Sequence, residues 1–124
     1  MESWVAREVE ELASRAEADR ERFEPPEEPP DREEALAYLR EGAGQAIWLY
    51  VEGRTGGRYT EFSPEAFRTL EGAMNDWFAL YAACYGVELD PEVSIRTAAE
   101  ALIDTENVHD TAQILTGVPE SDNG

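Results

Sequence analysis

The chain has 124 residues, 42% of them hydrophobic, which is the length and apolar content of one globular domain. It has 28 acidic residues and only ten basic ones, all arginine, so the net charge is −18. The single cysteine and single histidine exclude an intramolecular disulfide and a zinc cluster of Cys and His ligands within one chain. No apolar run approaches a membrane span and the amino terminus lacks a signal-peptide pattern, so we expect a cytoplasmic protein without a membrane segment.

The acidic excess is spread along the whole chain. Residues 1–41 contain 14 acidic residues and six arginines, and residues 42–124 contain 14 and four. An even spread favours adaptation to molar salt over an acidic decoy, because at about 1 M salt the screening length falls to roughly 3 Å and self-repulsion largely vanishes. The charge therefore predicts a halophilic protein surrounded by solvent cations, and it does not exclude nucleic acid as a partner.

Residues 1–24 are predicted to form an amphipathic helix with Ser3 as N-cap. Its narrow apolar stripe is Val5, Val9, Leu12 and Ala16. Such a helix must dock on something, and the pattern leaves open whether that is its own chain or a second one. The proline-rich residues 25–30 cannot continue a helix and are predicted to be a stiff linker.

Residues 31–119 are predicted to form one α+β domain, followed by a disordered tail at 120–124. A short helix begins at the N-cap Asp31 and ends at the glycines 42–44. The run 46–51 (AIWLYV) is β-branched and aromatic, residues 52–57 are a glycine-rich turn, and residues 58–62 alternate as a return strand. This pattern predicts a β-hairpin.

Ser63, Pro64 and Glu65 mark the start of a long apolar helix that Gly86 ends. Two shorter helices follow, one from the region of Asp90 to Ser94 and one capped by Thr105. The predicted fold is therefore α+β and mainly helical, with one hairpin packed on a long central helix.

A two-stranded hairpin is marginal alone, so its open edge and face favour a protein partner. The expected interaction surface combines the hairpin aromatics with the stripe of the first helix: Trp48, Tyr50, Tyr59, Val5, Val9 and Leu12. We therefore expect a non-enzymatic protein-interaction or regulatory module that self-associates, as a homodimer or with a protein partner, and that needs no cofactor.

Two other functions remain open. Arg54 and Arg58 at the hairpin tip could contact a nucleic-acid backbone, although no phosphate-loop motif is present. Glu106 and His109 form a Glu-x-x-His motif that could hold a metal if a second copy supplied further ligands, which would make the chain a small metal-binding or enzymatic domain. Cys84, on the apolar central helix, is predicted to be a buried core residue, and Asp76 must face solvent or be paired.

Overall fold

The computed structural model describes residues 4–55 and 63–119, including all of their side chains except those of residues 54 and 55. These residues form six α-helices and one π-helical segment, and no strand is found among them. The elements are α1 (Trp4–Arg22), α2 (Arg32–Tyr38), the π-helical segment (Leu39–Ala43), α3 (Gly44–Thr55), α4 (Pro64–Cys84), α5 (Ile95–Thr105) and α6 (Val108–Thr116). Because α2, the π-helical segment and α3 follow one another without a break, they form one continuous helix. The described residues therefore contain five separate helices. None of the described helices is long and apolar enough to cross a bilayer.

The predicted α+β class and its β-hairpin are wrong. Residues 46–51 lie inside α3, and the helix continues through residues 52–55, where the turn was expected. The buried positions are Ala46, Ile47, Leu49 and Tyr50, a spacing that fits one wide face of a helix and not the alternation of a strand. The predicted return strand, residues 58–62, lies outside the described residues.

The physical reason is that α3 is enclosed by other helices on most of its circumference. It contacts α1, α4 and α5. The one outward-facing residue among residues 46–50 is Trp48, which is apolar as well, so residues 46–51 show no helical periodicity in their sequence. A short apolar run of this kind fits a buried strand and a buried helix equally well.

The central helix α4 begins as predicted. The hydroxyl of Ser63 accepts a hydrogen bond from the backbone N–H of Ala66 at 3.0 Å, and Pro64 occupies the first turn. Its buried face carries the largest side chains of the core, among them Trp77, Phe78 and Tyr81, each fully buried. The other helices are arranged around this face.

Helix α1 docks on its own chain. Its stripe residues Val5, Val9, Leu12 and Ala16 are buried, and α4 is the element that α1 contacts most extensively. Its predicted N-cap, Ser3, lies outside the described residues.

Side-chain caps define the starts of the shorter helices. Asp31 caps α2 by accepting from the N–H of Glu34 at 3.2 Å, and Ser94 caps α5 by accepting from Thr97 at 3.0 Å. Helix α6 is capped by Asn107, which accepts from Asp110 at 3.0 Å. The predicted cap Thr105 instead donates to the carbonyl of Asn107.

The π-helical segment faces Trp77 across a very short distance. A Cβ placed on Gly42 would lie 2.5 Å from Cγ of the Trp77 indole, closer than any real contact allows. The segment therefore needs glycine at this position for a steric reason, and its backbone forms the surface on which the indole rests.

We expect Gly42→Ala to lower the free energy of unfolding by about 1–3 kcal/mol or more, because either the backbone or the indole must move in a close-packed core. Gly72 is the matched control: it lies in α4, and a Cβ added to it would have nothing within 4 Å. Gly72→Ala should be neutral or stabilising by about 0.5–1 kcal/mol, since alanine is the better helix former. Chemical denaturation measured in the same molar salt compares the two, and equal effects would contradict the steric argument.

Candidate interaction groove

A groove runs between α1 and α3 on the surface of the molecule and encloses about 330 Å³. Helix α1 contributes Trp4, Glu8, Leu12 and Arg15, and helix α3 contributes Gln45, Trp48, Leu49 and Glu52. Within each helix these positions recur at the helical spacing of three or four residues, so each set lies on one helix face. The groove thus has two helical walls, each with one tryptophan and one glutamate.

Trp48 is the feature that distinguishes this groove from the rest of the surface. Its side chain is 51% exposed, whereas Trp77 is fully buried in the core. The other large hydrophobic residues that stand exposed among the described positions are aliphatic: Val87, Ile103 and Ile114. An aromatic ring that is half in water and half in a groove is characteristic of a contact surface.

The two carboxylates of the groove are available to a ligand. Glu8 and Glu52 are exposed, and neither takes part in an ion pair within the described part of the chain. The third charged residue, Arg15, is exposed, and its guanidinium is engaged within the chain. Its guanidinium lies 5.8 Å from the centre of the Trp77 ring and donates a hydrogen bond to the backbone carbonyl of Glu41.

A second, open depression follows the outer face of α1. It is lined by Trp4, Arg7, Glu8, Glu10, Glu11, Ser14 and Arg15. Trp4, Glu8 and Arg15 line both hollows, so this edge of α1 forms a ridge between the groove and the depression.

Polar contacts hold α1 in place beneath the groove. The indole N–H of Trp77 donates to Asp19 at 2.9 Å, and Asp19 also accepts from Arg22 at 3.0 Å. Further along, Arg20 and Asp76 form an ion pair at 3.4 Å. These contacts satisfy the only polar atom of a fully buried indole and fix the position of α1 on α4.

Burial raises the pKa of Asp76 above its ordinary value of 3.8, and the neighbouring Arg20 offsets only part of that effect. A carboxyl whose pKa is raised by folding binds more protons in the folded state than in the unfolded state. Between its unfolded and its folded pKa, stability therefore falls as pH rises.

In the wild type, the titration of Asp76 should lower the free energy of unfolding as pH rises from just below 4 through the folded pKa of this carboxyl. We expect Asp76→Asn to show a smaller decrease over the same pH range, because the substitution removes this titration. Glu100→Gln is the control for the loss of one charge, since Glu100 also pairs with an arginine, Arg96, at 3.6 Å and is well exposed. Denaturation curves at a series of pH values measure the difference. An unchanged pH profile in Asp76→Asn would contradict the assignment.

The residues predicted to form an interaction surface are placed in different environments. Trp48 lines the groove and stands half exposed. Leu12 lies at the base of the groove and is 6% exposed, whereas Val5 and Val9 face the core. Tyr50 is buried with its ring 6.0 Å from that of Phe67, and Tyr59 lies outside the described residues.

Six groove residues were not predicted from the sequence: Trp4, Glu8, Arg15, Gln45, Leu49 and Glu52. A signal for the α3 wall is present, because positions 45, 48, 49 and 52 have the spacing of one helix face. A strand at residues 46–51 followed by a turn at residues 52–57 would not place these four positions on one face, so the predicted hairpin hid this signal.

The two arginines of the predicted nucleic-acid tip cannot be placed as a pair. Arg54 lies in the last turn of α3 with its side chain outside the described set, and Arg58 falls entirely outside it. The hairpin that was to present them is replaced by helix up to Thr55.

Glu106 and His109 lie on different elements. Glu106 follows α5 in the left-handed conformation, with φ 56°, and His109 is in the first turn of α6. The His109 ring packs against Tyr81 with 6.1 Å between ring centres. Across residues 4–55 and 63–119, no three His, Cys, Asp or Glu side chains come together as a metal site would require.

Cys84 is fully buried at the end of α4, and burial raises the pKa of its thiol to about 12. Glu34 and Asp31 act in the same direction because their negative charges disfavour a thiolate. The thiol is therefore a core group, as the sequence predicts, and is not activated as a nucleophile.

We expect native Cys84 to react with iodoacetamide at pH 8 at least about 100-fold more slowly than in the denatured chain, because the thiol is both protonated and enclosed. Since it is the only cysteine, mass spectrometry of the intact chain follows a single event. Similar rates in the native and denatured states would contradict its burial.

Over residues 4–55 and 63–119, fold and surface together define an all-α domain with an aromatic and acidic groove between two of its helices. The chain belongs to a family described as a domain of unknown function, DUF8055, whose model matches residues 3–120. Comparison with curated proteins and with solved structures found no match.

Proposed function

We propose that this domain is a non-enzymatic protein-interaction module that self-associates through the face around Trp48. The observation that supports this proposal is the half-exposed indole at the edge of the groove between α1 and α3. Tryptophan is among the residues that contribute most to protein interfaces, because it buries a large area at a small cost in conformational entropy.

The physical basis of the association differs from the one that the sequence suggested. A hairpin would have offered an unpaired strand edge, but α1 and α3 satisfy their interior backbone hydrogen bonds within the helix. Association must therefore come from side chains. At about 25 cal/mol per Å² of apolar area, covering the exposed half of one indole stabilises a complex by about 2–3 kcal/mol, and a two-fold dimer has two such contacts.

The composition of the groove supports binding over catalysis. Its lining contains neither histidine nor cysteine. The single histidine packs against Tyr81, and the single cysteine is enclosed in the core. The groove side chains are of the kinds that hold a partner through stacking, apolar contact and charge.

The strength of the proposed self-association should depend on the salt concentration. Two chains of net charge −18 repel each other in dilute buffer, and this repulsion is screened within about 3 Å at 1 M salt. Apolar contact is not weakened by that screening. Association through Trp48 is therefore expected to strengthen from low to molar KCl.

We expect Trp48→Ser to weaken self-association in 2 M KCl by about 30-fold or more, the effect typical of a tryptophan at the centre of an interface. Ile114→Ser is the matched control, because Ile114 is 65% exposed on α6, away from the residues that line the groove. Sedimentation equilibrium gives the dissociation constants, and circular dichroism melting checks that both variants fold.

Two outcomes would overturn the proposal. One is a wild-type chain that remains monomeric at every salt and protein concentration tested. The other is a Trp48→Ser variant that associates as tightly as the wild type and the Ile114→Ser control.

A further inference from the structure

We infer that the groove is completed by an arginine of a second copy of this chain, and that this arginine is Arg7. In this arrangement the guanidinium of the second copy's Arg7 stacks on Trp48 between the carboxylates of Glu8 and Glu52. This inference rests on the proposed self-association and adds to it the chemistry by which one copy recognises the other.

The groove combines the two features that a guanidinium prefers. Trp4 and Trp48 offer aromatic faces, and Glu8 and Glu52 place a carboxylate on each wall. Arginine stacks on aromatic rings and binds carboxylates through a planar set of donors, whereas lysine is a compact and strongly hydrated charge. All ten basic residues of this chain are arginine.

Among the arginines whose side chains the structure describes, Arg7 is the one best placed to enter the groove of another copy. It is exposed, and its guanidinium has no ion pair or hydrogen bond with another described residue. Four other arginines are already engaged within the chain: Arg15, Arg20, Arg22 and Arg96. The guanidinium groups of Arg32, Arg40 and Arg68 also have no such partner among the described residues, but these residues line neither the groove nor the depression beside it.

The positions of the two hollows suit a two-fold dimer. The depression that contains Arg7 and the groove that contains Trp48 lie on opposite sides of the ridge formed by Trp4 and Glu8. A two-fold axis close to this ridge places the depression of each copy over the groove of the other. Each copy then gives one Arg7 and receives one, so the contact occurs twice.

Arg15 does not prevent this arrangement. Its guanidinium is already engaged within the chain, over the Trp77 ring and by the carbonyl of Glu41. The groove has two carboxylates, those of Glu8 and Glu52, and only this one guanidinium. Neither carboxylate has an ion-pair partner in the described regions. The groove therefore has an excess of negative charge beside its aromatic rings, which is complementary to a guanidinium.

A charge exchange tests the pairing directly. Arg7→Glu and Glu52→Arg should each weaken self-association at 1 M KCl by about 10-fold or more, because each places like charges together at both contacts. The double variant R7E/E52R should recover to within about threefold of the wild type, because the opposite charges are restored with their positions exchanged. Sedimentation equilibrium measures all three, with circular dichroism melting as the check on folding.

Two single variants serve as controls. Arg68→Glu makes the same change of charge on the exposed surface of α4 and should leave the dissociation constant within about twofold of the wild type. Arg7→Lys keeps the charge and loses the planar group, so it should weaken association by less than Arg7→Glu but by a measurable amount.

The outcomes separate this inference from the proposed function. If Trp48→Ser dissociates the protein while Arg7→Glu does not, self-association stands and the role of Arg7 is overturned. Failure of the double variant to recover overturns the pairing of Arg7 with Glu52. A wild-type chain that is monomeric throughout overturns both the inference and the proposed function.

Discussion

The packing of the Trp77 indole against Gly42 is the constraint on which the rest of the structure depends. The ring is fully buried, and a single added carbon on Gly42 would lie 2.5 Å from its Cγ. Its N–H is bound by Asp19 of α1, and Arg15 of α1 lies over its ring. One side chain of α4 thus fixes both α1 and the π-helical segment, so the positions of these three elements are set together.

The groove is a consequence of that arrangement. Helix α3 continues directly from the π-helical segment, and α1 is held on α4 through Asp19, so both walls depend on contacts with the same indole. Their facing sides leave a space that Leu12 and Leu49 line from below, with Trp48 standing half exposed at its edge. The tryptophan and glutamate of each wall are therefore positioned by the core and not by contacts among themselves.

The charge of the molecule bears directly on the proposed self-association. Acidic residues are spread along the whole chain, and a protein of this charge has few places where a second copy can approach. Helix α1 carries four of the ten arginines, interspersed with acidic residues. In the proposed dimer, an interface formed from α1 places arginine opposite glutamate, and this pairing would give the proposed association its specificity.

The sequence by itself determined the elements whose signals are local. The cap and proline that begin α4 at Ser63 and Pro64, the cap of α2 at Asp31, the apolar stripe of α1 and the burial of Cys84 all follow from neighbouring residues. Residues 46–51 were misassigned because all six are apolar, including the outward-facing Trp48, and period and propensity then fail to separate helix from strand.

Only the tertiary structure decided that residues 46–51 are helical and that position 42 must be glycine because the Trp77 indole packs against it. It also decided that Trp48, alone among residues 46–50, faces outward. Those outcomes depend on which elements meet in space, because residues 35 positions apart, such as Gly42 and Trp77, carry no local signal that they will touch.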